Sequence, residues 1–120
     1  MSPHNPRVAL FRRLALGLPG ATEDSHMGHP DFRLNDRIFA TLSAQEKGYG
    51  VVKLTPEQQQ SFITDQPMAF TPVNGGWGRM GMTFVHLDQA DEALIAGALS
   101  TAHHNLMKKQ SEKKSKRTSR

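Results

Sequence analysis

The sequence predicts an α+β domain: an antiparallel sheet of about five strands, packed by N- and C-terminal helices, with a short helix in the middle. Three observations predict it. Apolar residues recur at helical spacing near both ends of the 120-residue chain. Short apolar runs bounded by turn signals fill the middle, and no segment repeats. A chain of this length buries one modest core and not two.

Asn5 and Pro6 read as an N-cap and first helical residue. Val8, Phe11, Leu14, Ala15 and Leu18 then form an apolar stripe, so a first helix runs to about Gly17 and ends at Leu18-Pro19-Gly20. The polar stretch from there to His29-Pro30 has neither period and reads as a loop. Asp31 to Leu34 and Arg37 to Leu42 read as a hairpin about Asn35-Asp36, two residues that tolerate positive φ. A two-residue turn places Leu34 opposite Arg37 and Phe32 opposite Phe39, and leaves apolar side chains on both faces. Tyr49 to Leu54 reads as a third strand. Thr55, Pro56 and Gln58 form a capping-box pattern for a second helix to about Thr64. Met68 to Val73 is an edge-strand candidate because of Pro72. Asn74-Gly75-Gly76 reads as a turn, and Trp77 to Leu87 as the longest strand. Asp88 is the expected cap of the last helix, whose core stripe is Leu94, Ile95, Ala98, Leu99, Ala102 and Leu106.

The net charge of +4 is unevenly placed. Residues 108–120 hold seven basic side chains against Glu112 alone, which leaves residues 1–107 with a net charge of −2. The expected organisation is therefore a folded domain over residues 1–107 and a disordered basic tail over residues 108–120. The most apolar N-terminal stretch is broken by Arg12 and Arg13, so neither a membrane helix nor a signal peptide is expected. The absence of cysteine excludes disulfides, thiolate nucleophiles and cysteine zinc sites, and a cytoplasmic location fits.

Gly76-Trp77-Gly78-Arg79-Met80-Gly81 matches a dinucleotide fingerprint, but that pattern needs a strand before it and a helix N-terminus after it. Here it leads into an expected strand, so the glycines read as turn residues. His26 and His29 lie near Glu23, Asp24 and Asp31, a composition that suits a metal, but no second clear ligand pair accompanies them and a loop-packing role is favoured. His103 is expected to flank the core stripe. Along the last strand, Met80, Met82, Phe84 and His86 form the expected core set. Trp77 and Arg79 then fall on the other face, where Tyr49 and Lys53 can join them as a basic surface interleaved with aromatics. An ordinary half-solvated sheet face is the plainer reading of the same pattern. No nucleophile, phosphate-loop or metalloprotease motif occurs, so no enzyme activity, cofactor or metal is expected.

Taken in order, Leu18-Pro19-Gly20, His26 to Leu34, Asn35 to Ala40, Val52 to Glu57 and Gly76-Trp77-Gly78 resemble the MmcQ/YjbR family of small bacterial proteins. The resemblance implies a CyaY-like fold and a DNA-binding role, and it points to Phe32, Arg33, Arg37, Phe39, Lys53 and Trp77. It transfers no catalytic motif. Two hypotheses follow. In the first, a DNA-binding monomer contacts phosphates through Lys108, Lys109, Lys113, Lys114, Lys116 and Arg117, while Arg33, Arg37, Lys53, Trp77 and Arg79 form a folded contact surface. In the second, a non-catalytic adaptor binds a small ligand or a protein in a pocket near His26 and Trp77. A frataxin-like metal role would follow from the fold alone, which does not transfer function.

Overall fold

Asn5 starts the chain's first helix through its own side chain: its Oδ1 accepts from the Arg7 N–H at 2.9 Å. In the computed structural model the backbone is described for residues 5–118 and side chains for residues 5–112. The first helix, α1, spans Pro6–Leu16 and stops at Gly17. It buries Phe11 and Ala15 against the sheet. Phe11 lies directly over Gly50, where any Cβ would stand 2.4 Å from its ring.

The next element corrects the sequence expectation. Residues read as loop form an edge strand, β1 (Ala21–His26), paired antiparallel with β2 (His29–Leu34) through a turn at Met27-Gly28. Both turn residues have positive φ, 54° and 81°, the geometry of a hairpin whose turn matches the strand twist. β1 is mostly exposed, so it carries no period-two apolar signal. The second hairpin is as expected: Asn35 and Asp36 have φ of 51° and 68°, and Leu34 pairs with Arg37 at the start of β3 (Arg37–Thr41). Its register then departs from the simple alternation. A bulge makes Phe32 pair with Ala40 rather than Phe39. The extra residue lets Phe39 and Ala40 both turn inward, which resolves the two-faced apolar pattern.

A single 3₁₀ turn (Gln45–Lys47) leads to β4 (Tyr49–Lys53). The second helix, α2 (Pro56–Asp65), has the full capping box: Gln58 N–H donates to Thr55 Oγ1 at 3.1 Å and Thr55 N–H donates to Gln58 Oε1 at 3.0 Å. β5 (Phe70–Pro72) is the other edge strand. Gly75 to Arg79 then form a short helix, α3, where a turn and the start of a strand were expected, and β6 is limited to Met82–His86. Met80 and Gly81 break the assumed alternation. As a result Thr83, Val85 and Leu87 are buried, while Met82, Phe84 and His86 face outward, the reverse of the expected core set.

The last helix, α4 (Glu92–Thr118), is capped by Asp91, whose Oδ1 accepts from Leu94 N–H at 2.9 Å; Asp88 lies outside it. Its backbone continues through the segment expected to be a disordered tail, ending at Thr118. Gln110 fixes the first part of that extension to the β2–β3 turn: its Nε2 donates to Leu34 O at 3.0 Å, and its Oε1 accepts from Asn35 Nδ2 at 2.8 Å.

Among the described residues, the six strands form one antiparallel sheet in the order β1-β2-β3-β4-β6-β5. α1 and α4 pack together on its inner face, and Phe11, Phe32, Phe39, Phe70, Ile95 and Leu99 are central to the core between the layers. Each such side chain contributes about 1.5–3 kcal/mol through burial. His103 is buried in this layer, edge-on to Phe39 at 5.5 Å, with Nε2 2.7 Å from Pro19 O.

Candidate functional site

Among the described residues no long helix covers the outer face of the sheet, and the sheet's register determines which side chains meet there. Asp31 pairs with Thr41, which pairs with Val51, which pairs with Phe84. In the adjoining row Arg33 pairs with Ile38, and Lys53 pairs with Met82. Opposed residues in an antiparallel sheet share a face, so these rows form one continuous surface.

Two projections flank it. One is the β1–β2 hairpin, ending in Met27. The other is α3, carrying Trp77, followed by Met80. Between them lies an open cleft of about 620 Å³ lined by His26, Met27, His29, Pro30, Asp31, Ile38, Thr41, Ser43, Lys53, Trp77, Met80 and Met82. Its mouth is apolar yet solvated: Met27, Trp77 and Met80 are 85%, 67% and 73% exposed. Large exposed apolar patches are a feature of binding surfaces in general.

The α3 side of the cleft is fixed in place by backbone packing and by one amide. Gly78 sits so close to Val73 that an added Cβ would fall 1.7 Å from its carbonyl oxygen. Gly81, at φ 110°, is packed in the same way on Leu54 O at 1.9 Å. The fingerprint-like glycines thus permit close backbone approach. A five-residue helix offers no phosphate cradle. Gln59 Nε2, on α2, reaches Gly78 O at 2.9 Å, Met82 O at 3.0 Å and Thr83 Oγ1 at 3.2 Å. The buried Thr83 hydroxyl in turn donates to Gly81 O at 2.8 Å. Beside the cleft, Tyr49 packs on Phe84 and His86, and His86 Nε2 lies 2.8 Å from Thr71 Oγ1.

The residues named from sequence are not brought into one surface. Lys53 and Trp77 line the cleft. Arg79 is exposed on α3 outside its lining. Arg33 is engaged by carboxylates: Nε and Nη2 donate to the two oxygens of buried Asp31 at 2.8 and 3.1 Å, and Asp24 lies 3.6 Å away. Hydrogen bonding to Asp31 raises the Arg33 pKa, with desolvation opposing it. Arg37 is exposed at the far end of the β2–β3 hairpin. Lys108 and Lys109 are exposed on α4, which packs on the inner face. The side chains of Lys113, Lys114, Lys116 and Arg117 lie outside the described residues. His26 and Trp77, which the adaptor hypothesis sets beside one pocket, both line this cleft. Sequence reasoning missed Met27, Ile38, Met80 and Met82 as site residues. The available signal was the Met80-Gly81-Met82 step, which is incompatible with a regular strand once Gly81 takes positive φ.

Among the described residues no three His, Asp or Glu side chains form a metal-holding group, and no helix is long and apolar enough to cross a membrane. The model of the YjbR family matches residues 16–105. The fold is similar to the crystal structure of the Deinococcus radiodurans protein DR2400, a DUF419 domain, with a TM-score of 0.70 and 19% identity over 86% of this chain and 80% of that one. No curated protein matches the chain.

Proposed function

The chain belongs to the YjbR family, and we propose that it is a non-catalytic binding protein whose ligand is a small amphipathic anion seated in the outer-face cleft. The observation that carries this reading is the apolar mouth formed by Met27, Trp77 and Met80 above a wall that contains Lys53. Ligand sites combine an apolar lining with a few polar groups that fix orientation. Ile38, Pro30 and Met82 supply apolar area, and the Trp77 indole supplies a flat, rigid face. Lys53 is the lining group that carries a fixed positive charge, because Arg33 is neutralised by Asp31 and Asp24. A planar apolar body with a carboxylate, sulfonate or phosphate end matches this arrangement.

Trp77 is the chain's single tryptophan, so its fluorescence reports on the cleft. The test is a titration with an anilinonaphthalene sulfonate, nucleoside monophosphates and short oligonucleotides. Saturable quenching by the small anions is expected. A response to oligonucleotides alone, or to none of the three, would overturn the reading.

A second reading, DNA binding, is favoured by the helical extension that carries Lys108 and Lys109 and continues through Lys113, Lys114, Lys116 and Arg117. Those charges would neutralise phosphates and release counterions, with Trp77 available to stack on an unpaired base. α4 packs on the inner face of the sheet and the cleft lies on the outer face, so this reading requires a nucleic acid that wraps an edge or uses the extension alone.

A further inference from the structure

We propose that the chain self-associates through its β1 edge, a second copy pairing its own β1 antiparallel about a two-fold axis centred on Glu23. The inference does not rest on the amphipathic-anion reading. It begins with a difference between the two edges of the sheet. β5 is three residues long and carries Pro72, which removes a backbone donor. β1 is six residues long, holds neither proline nor lysine, and pairs with β2 without a bulge. A regular edge left without such devices is a template for another strand.

The register with β2 decides which backbone groups that edge offers. Ser25 is opposite Pro30, which has no N–H and whose carbonyl accepts from Leu42 N–H at 2.9 Å on the β3 side. Ser25 therefore points its N–H and C=O away from β2. Antiparallel pairs alternate, so Ala21 and Glu23 also direct their backbone groups outward. Among the described residues neither backbone group of Glu23 has a partner. Ser25 N–H is held only by the neighbouring Asp24 Oδ1 at 2.8 Å. Ala21 N–H is already taken by Leu18 O at 3.1 Å, which marks the end of the usable edge.

These constraints select one register. Centring on Thr22 leaves Ser25 beyond the partner strand. Centring on Asp24 sets two carboxylates against each other, each 62% exposed. Centring on Glu23 opposes Ala21 with the partner's Ser25 and Thr22 with the partner's Asp24. Reciprocal bonds then join the two Glu23 backbones, and Ser25 N–H donates to the partner's Ala21 O. Charge favours the same centre. Arg12, on α1, donates to both Glu23 oxygens at 2.7 and 2.6 Å while its own side chain is 54% exposed. Two such pairs meeting at the axis place each carboxylate beside two guanidiniums, and a network of this kind outweighs isolated surface pairs.

The test uses the full-length chain, which has no cysteine, so single cysteines report the register. Hydrogen-bonded antiparallel partners have Cα atoms about 5.5 Å apart, a separation a disulfide spans. In a glutathione redox buffer Glu23→Cys is expected to form a covalent dimer. Ser25→Cys is expected not to, because its copy lies four residues further along the edge, roughly 14 Å. Sedimentation equilibrium of the parent chain is expected to show a concentration-dependent monomer–dimer equilibrium. Ser25→Pro spares the β1–β2 bonds and removes both symmetric Ser25 bonds, so the dissociation constant should rise at least about tenfold. Arg12→Ala should also weaken the dimer, and added salt should restore it by screening the two bare Glu23 carboxylates. Thermal unfolding checks that each variant keeps its fold. A parent chain that is monomeric at about 1 mM, equal crosslinking of the two cysteine variants, or undiminished association of folded Ser25→Pro or Arg12→Ala protein would overturn the proposal.

Discussion

Arg33 lies two residues from Asp31 on one face of β2, and its guanidinium holds both carboxylate oxygens of that buried side chain. An arginine so engaged serves the fold before any phosphate. Arg33→Leu is expected to lower the melting temperature by stranding the Asp31 carboxylate. Asp31→Asn/Arg33→Leu should recover part of that loss, and thermal unfolding of the two variants checks it. Because the pair raises the Arg33 pKa, its contribution is fully present below the unfolded pKa. It is lost only as pH rises through the folded value, in strong alkali.

Three glycines should separate two kinds of backbone constraint. Gly28 has φ 81° with open space about it, so Gly28→Ala pays only for conformation, about 1–2 kcal/mol. Gly78→Ala and Gly81→Ala drive a methyl group into a carbonyl and should cost more, on the order of 3 kcal/mol or beyond. Denaturant unfolding ranks them. Equal costs at all three positions would contradict the close packing that anchors the α3 side of the cleft.

Trp77 is two-thirds exposed, so Trp77→Ala should leave stability within about 0.5 kcal/mol. The same change should cost about 2 kcal/mol of binding to an anilinonaphthalene sulfonate, read from the dye's own emission. Unchanged dye affinity would remove the indole from the site.

The basic extension calls for two truncations. Deleting residues 113–120 removes five basic side chains and should reduce the salt slope of duplex DNA binding by up to about 4–5 while leaving the fold intact. Deleting residues 108–120 also removes Gln110 and its bonds to Leu34 and Asn35. That longer cut should destabilise by about 1–2 kcal/mol. Salt-dependent titration and thermal unfolding of both forms separate a charge effect from a structural one.

Much of the fold was legible wherever the deciding interaction spans only a few residues. The Asn5 cap, the Asn35-Asp36 turn and the Thr55–Gln58 capping box all depend on groups within three positions of each other, and the α4 stripe depends on its own periodicity. β1 was not legible, because an edge strand exposed along most of its length needs no apolar alternation. The reversed faces of β6 follow from α3 and Gly81, where a close approach to Leu54 replaces the regular alternation assumed from Trp77 onward. The disordered tail was inferred from charge alone, whereas its backbone continues α4, and Gln110 clamps the start of that continuation to a hairpin distant in sequence.

The sequence by itself determined a one-core α+β chain, the starts of α1 and α2, the β2–β3 turn and the segregation of positive charge after Met107, since each follows from composition or short-range hydrogen bonding. Only the tertiary structure decided that Phe39 is the extra residue of a bulge and that Arg33 is neutralised. It also set His26 against His29 and made Trp77, Met80 and Met82 the opposite wall of the same cleft. Those relationships depend on register and on close packing between segments far apart in the chain, and neither is encoded in any local period.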